Sequence, residues 1–161
     1  MTMPENRGGD AMSDGLRLDH VAVAVRSVEA AADRLGKLLG YTPRTEKVTN
    51  TRQQVNVLFL CKPGSLDIKL IEPSSEESPL WKFVKTGGGL HHLCFRVPDV
   101  QSACDEMAAR GVRVIAPPQP GEAFDDQLIA FLYLGLGLNV EVIDTDERRA
   151  RIVSSEPEDL P

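Results

Sequence analysis

Aromatic residues are scarce in this chain. Five Phe, two Tyr and one Trp in 161 positions are a poor stock for a protein that would grip large planar compounds by stacking. Cysteine is scarcer still. Cys61, Cys94 and Cys104 are odd in number and form no C-x-x-C pair, which speaks against a disulfide framework and for reduced thiols. No Lys/Arg-rich run is present and the formal charge is −6, so neither nucleic acid nor an anionic membrane surface is the expected partner. No apolar N-terminal stretch is long enough for export or membrane insertion. These absences leave a cytoplasmic protein with a small-molecule partner as the expectation.

What is present suffices for a core. Hydrophobic residues make up 42% and charged residues 26%, ordinary for one medium domain or two small fused units. The ends read as attachments: MTMPENRGGDAMSDG (1–15) and DERRARIVSSEPEDLP (146–161) are polar, Gly/Pro-punctuated and without periodicity, so 1–15 and 145–161 are expected as solvated tails flanking a domain over 16–144. Within that domain the sequence repeats itself. DHVAVAV (19–25) aligns with HHLCFRV (91–97) and SLDIKLIE (65–72) with GLNVEVID (137–144), and the same spacing carries Phe59 onto Phe131 and Ser27-Val28 onto Asp99-Val100.

Each repeat has the same local grammar. Alternating LDHVAVAV is a strand. Ser27 caps the helix VEAAADRLGKLL, whose apolar stripe is Val28, Ala31, Leu35, Leu38 and Leu39, and Gly40 ends it. In the second repeat Asp99 caps VQSACDEMAAR, with Val100, Ala103, Met107 and Ala108 as the stripe and Gly111 as the stop. Extended segments follow each helix, roughly 43–49, 54–61 and 65–72 in the first and 112–116, 127–134 and 137–144 in the second. The units are therefore βαβββ, module one over 16–72 and module two over 87–144. The connection, PSSEESPLWKFVKT (73–86), predicts a short helix starting at Ser78-Pro79, with Trp81 and Phe83 packing between the units.

Only three histidines occur, and two are adjacent in GGGLHHLCFRV (87–97). Strand parity sorts them. His20, Ala22 and Ala24 share the face away from the first helix, and His92, Cys94 and Arg96 share it in the second unit. Lys69 and Glu141 fall on that same face, while His91 points toward the helix layer or a strand edge. If the two units form one curved sheet about a pseudo-twofold axis, two imidazoles and a carboxylate meet in a concavity lined by small residues. Such a trio is a three-point site for a divalent metal. A strand histidine that merely satisfies its own hydrogen bonds is the plainer reading of each residue alone.

DHVAVAV, GGGLHHLCFRV, GVRVI and LNVEVID in a duplicated unit resemble the vicinal oxygen chelate (glyoxalase/bleomycin-resistance) superfamily, and LIEPSSEESPLWKFV with GGGLHH is most similar to its methylmalonyl-CoA epimerase branch. The resemblance implies an α+β fold, two tandem βαβββ modules making a cupped eight-stranded mixed sheet with helices outside. It implies one divalent ion (Co, Zn, Mn, Ni or Fe) on His20, His92 and Glu141, and a homodimer. The implied activity is that of an isomerase or lyase polarising the carbonyl of a small acyl or acyl-thioester substrate for proton abstraction.

Two positions depart from that pattern. Lys69 stands where these families usually carry a fourth ligand, Glu or Gln, and an ammonium is no ligand. It either swings aside or pairs with Glu141 and replaces the metal. Arg52, in TNTRQQVNVLFL, stands where the epimerases carry a glutamate base, and arginine cannot accept a proton. It is free to bind a carboxylate or phosphate of the ligand, or it is a solvated charge at a strand edge. Glu141, Lys69 and Arg52 are thus the candidate catalytic residues. Two other readings stay open: a His-His-Glu iron-dependent dioxygenase and a non-catalytic small-molecule sequestering protein.

Overall fold

The structure, a computed structural model, describes residues 15–152. The chain runs β1 (Arg17–Ala24), α1 (Val28–Leu39), β2 (Thr42–Pro43), β3 (Val48–Asn50), β4 (Val55–Cys61), β5 (Asp67–Pro73), α2 (Trp81–Lys85), β6 (Gly89–Arg96), α3 (Val100–Ala109), β7 (Arg113–Gly121), a 3-10 turn (Glu122–Phe124), β8 (Gln127–Tyr133) and β9 (Asn139–Ile143). Nine strands form one sheet in the order β2-β4-β5-β1-β6-β9-β8-β7, with β3 paired to β4. At its centre β1 and β6 are antiparallel, while each runs parallel to the last strand of its own unit, β5 and β9. The repeat in the sequence is thus a repeat in space.

Both long helices begin as their caps require. Ser27 accepts from the Ala30 N–H and Asp99 from the Ser102 N–H, and Gly40 closes α1 in the left-handed conformation with φ 76°. Each helix covers its own unit. Val28 of α1 is buried with Leu58, Leu60 and Leu70, and Val100 of α3 with Val97, Ala130, Leu132 and Val142. A third core fills the concave side, where Phe59, Phe124, Ile129, Ile143, Leu80 and Val84 pack together. The alternation of β1 follows: His20, Ala22 and Ala24 on the concave side are fully buried, whereas Val21 and Val23 are only partly so.

Three local expectations are corrected. The strand expected over 43–49 breaks into β2 and β3. Pro43 has no N–H to donate, and between the two strands the chain bonds elsewhere: Thr45 Oγ1 accepts from the Phe59 N–H, Glu46 N–H donates to Ala150 and Ile152 N–H to Arg44. Those bonds also correct the tail. Residues 145–152 pack against the domain, with Arg148 buried, while 153–161 and 1–14 lie outside the described residues. In the connection, α2 begins only at Trp81, after a turn at Ser78. Leu80 and Val84, one turn apart, enter the concave core, while Phe83 remains exposed and Trp81 half-buried.

The triple glycine ahead of the histidines has a steric cause. Gly88 has φ +66°, and a Cβ there would lie 2.4 Å from the Ala24 carbonyl oxygen, whereas Gly89, at φ +106°, has nothing within 4 Å. The chain leaves α2 pressed against the end of β1, and only glycine fits. Gly88→Ala is expected to cost about 3 kcal/mol or more in urea unfolding, and Gly89→Ala only the left-handed penalty of about 1–2 kcal/mol. Equal losses would mean that the approach to Ala24 does not matter.

Candidate active site

Four adjacent strands, β5-β1-β6-β9, present their concave side chains at one spot. Lys69 lies beside Ala22, which faces His92 across the antiparallel pair; His20 faces Cys94, which lies beside Glu141. The small side chains of Ala22 and Cys94 leave the volume into which the four long ones converge. His20 and Glu141 have no exposed surface, His92 has 2% and Lys69 3%. The pairing is by repeat. Lys69 and Glu141 are 72 positions apart, so the lysine is the glutamate's own counterpart.

Glu141 is the hub. Its Oε2 accepts from His92 Nε2 at 3.0 Å and Lys69 Nζ at 3.2 Å and lies 3.2 Å from His20 Nε2, and its Oε1 accepts from Lys69 Nζ at 3.3 Å. Burial opposes the charge of Glu141, but the Lys69 ammonium and the hydrogen bonds with both histidines prevail and hold its carboxyl well below the ordinary carboxylate range. Burial pushes His92 down to about 4 against the pull of Glu141, so it is neutral near pH 7. The far nitrogen of each ring is also engaged. His20 Nδ1 is 2.7 Å from Asp19 Oδ1, and His92 Nδ1 is 2.8 Å from His91 Nδ1. Asp19 and His91 are repeat-equivalent, so each unit orients its imidazole with the preceding residue. His91, expected against the helix layer or a strand edge, is half-buried between His92 and the Phe83 ring.

Aromatic rings wall the cluster. Phe59 meets His20 edge-on at 5.3 Å, Phe124 stacks on His20 at 6.1 Å and Phe131 stands edge-on to His92 at 5.2 Å. Lys69 Nζ lies 4.9 Å from the centre of Phe124 and 5.8 Å from that of Phe59. The Arg148 guanidinium lies 4.7 and 4.8 Å from the same two rings and donates to Asp19 at 2.7 Å. Arg148 and Phe124 were not visible as site residues in the sequence. Arg148 stands in a charged run without periodicity, and Phe124 in a turn, where strand parity gives no direction. Arg52 is exposed on the turn between β3 and β4, with its backbone N–H directed to Glu122 Oε1 at 3.3 Å. It does not join the buried cluster.

Three of the four residues suit a divalent ion. His20, His92 and Glu141 bring one ligand atom each within 4.8 Å of one another. The fourth does not. A dication 4 Å from an ammonium meets a repulsion of about 8 kcal/mol at an effective dielectric near 20, and Lys69 already spans both oxygens of the only anionic ligand. None of the cluster's polar atoms is among the buried side-chain atoms left without a hydrogen bond in the described residues. As arranged, the four residues together do not fit a divalent metal. Burial holds the Cys94 thiol well above its ordinary value.

The neutral His92 makes stability depend on acidity. In the unfolded chain it takes up a proton near 6.5, and in the folded chain only near 4. Stability present above the unfolded value is therefore lost as pH falls from 6.5 toward 4. Urea unfolding should show this loss in the wild type and a flatter dependence in His92→Asn; equal slopes would point to another group.

The chain matches the Glyoxalase/Bleomycin resistance protein/Dioxygenase superfamily over residues 19–131. It is 34% identical over 122 residues to the ethylmalonyl-CoA/methylmalonyl-CoA epimerase of Cereibacter sphaeroides, covering 73% of this chain and 87% of that protein. The crystal structure of methylmalonyl-CoA epimerase from Mycobacterium tuberculosis superposes with a TM-score of 0.73 at 27% identity, over 87% of this chain and 93% of that one. A variant of the Streptomyces coelicolor methylmalonyl-CoA epimerase, in complex with 2-nitronate-propionyl-CoA, superposes with a TM-score of 0.70 at 26% identity, over 81% and 97%.

Proposed function

The chain belongs to the Glyoxalase/Bleomycin resistance protein/Dioxygenase superfamily, and from that premise we propose that it is a methylmalonyl-CoA epimerase-like isomerase that labilises the α-proton of a small branched acyl-CoA. The observation that carries the reading is the buried cluster of His20, His92, Glu141 and Lys69 at repeat-equivalent positions of four neighbouring strands. The substrate class is that named for the relatives, an ethylmalonyl or methylmalonyl thioester.

The chemistry follows from what the cluster holds. A thioester oxygen that enters competes with Glu141 for the Lys69 ammonium and the His92 Nε2–H. As they turn to the oxygen, the carboxylate loses the contacts that keep it a weak base. Glu141 then takes the α-proton, the C–H electron pair moves into the enolate, and the developing oxygen charge meets donors already in place. Glu141 returns a proton to the face it took it from, which leaves deuterium at the α-carbon once its carboxyl has exchanged with solvent; inversion of the centre requires a separate proton donor on the opposite face. Arg52 takes no part in the proton transfer.

Access requires movement. The cluster is closed to solvent, and the Arg148 side chain lies across Phe59 and Phe124. Arg148 also lines a surface pocket of about 200 Å³ with Asp19, Arg44 and Asp67. Substrate enters there once Arg148 leaves Asp19 and Arg44 leaves Asp67, which frees both guanidinium groups for the anionic end of a malonyl-type acyl group. The test is incubation with methylmalonyl-CoA in deuterium oxide, followed by NMR of the α-position. Deuterium is expected at the α-carbon with the wild type and at least about a hundredfold less with Glu141→Gln. A wild type that gives no exchange with methylmalonyl- or ethylmalonyl-CoA would refute the reading.

A further inference from the structure

We propose that the Lys69 ammonium is the resident cation of this site, tethered where His20, His92 and Glu141 would otherwise hold a divalent metal, and that it supplies the positive charge which receives the substrate oxygen. The catalytic half rests on the isomerase reading above; the occupancy half does not.

Position is the first argument. Nζ of Lys69 bridges both oxygens of Glu141, at 3.3 and 3.2 Å, and so already occupies the one carboxylate among the three residues that would hold a divalent ion. The second is charge. One ammonium and one carboxylate cancel inside a cluster with almost no exposed surface, whereas an added dication would leave two uncompensated positive charges there. The third is the state of His92. Nε2 of His92 faces Glu141 Oε2, which only accepts, while Nδ1 of the same neutral ring faces His91, so Nε2 donates and offers no lone pair to an ion. The fourth is confinement. Lys69 is held beside the rings of Phe124 and Phe59, and no second carboxylate in the cluster competes for it. Asp19 is already taken up by Arg148 and by His20 Nδ1.

The lysine is therefore no damaged ligand position. A single side chain gives the site a permanent cation whose occupancy does not depend on metal supply, and its charge is singly positive, so it stabilises an enolate oxygen by a directed hydrogen bond as well as by field.

The full-length chain is to be titrated with Co²⁺, followed by equilibrium dialysis and by visible absorption, which reports His and carboxylate ligation. The wild type is expected to bind no stoichiometric Co²⁺, and Lys69→Gln to bind one equivalent at least about a hundredfold more tightly, with that gain abolished when His92→Ala is added. Lys69→Met serves if circular dichroism shows that Lys69→Gln does not fold. A wild type that binds one equivalent, lost in His92→Ala, overturns the proposal. So does a folded Lys69 variant that binds no better than wild type. Deuterium exchange with methylmalonyl-CoA should persist after exhaustive chelation; exchange that returns only with added metal also overturns it. Absence of exchange in every preparation refutes the isomerase reading alone, because Co²⁺ binding is read without substrate.

Discussion

The carboxylate of Glu141 has no exposed surface, and a charge so placed must be compensated by the protein itself, since the desolvation of an unpaired ion costs several kcal/mol or more. Compensation comes from all four central strands. Lys69 arrives from β5, His20 from β1 and His92 from β6, each within 3.3 Å of the carboxylate on β9. This places a demand on the fold, because the four strands must keep a register that sets Ala22 and Cys94 between the long side chains. A one-residue slip would turn every member of the cluster toward the helices. The charge network and the sheet therefore specify one another.

The surroundings serve the same constraint. Aromatic rings of Phe59, Phe124 and Phe131 exclude water from the imidazoles and the ammonium, which strengthens every electrostatic contact within. Beyond them, Asp19 and His91 fix the imidazole rings through the nitrogens that Glu141 does not engage. Arg148 closes the concave side and anchors Asp19. A site assembled this way is held in place before substrate arrives, and its donors need only turn from one oxygen to another.

Much of this was legible in the residue order. Strand alternation put His20, His92, Lys69 and Glu141 on one face, because side chains on a strand alternate whatever surrounds it. Helix caps at Ser27 and Asp99 were equally visible, since they depend on neighbours three residues away. Other features were not. Pro43 announced a difficulty for a strand over 43–49, but only the pairing of 150–152 with 44–46 decided how it breaks. The segment carrying Arg148 read as a solvated tail because mixed charges without periodicity carry no sign of a distant carboxylate. Arg52 stood at the place of a base in the chain order, yet its turn lies on the surface.

The sequence by itself determined the duplicated βαβββ plan, the concave face and the four residues upon it, because these rest on local periodicity and on a repeat that copies it. Tertiary structure alone decided what Lys69 does. Whether an ammonium points to solvent or bonds a carboxylate 72 positions away depends on how closely two sheet halves meet and on what else fills the space between them. That distance is a property of the packed sheet, and no local pattern of residues encodes it.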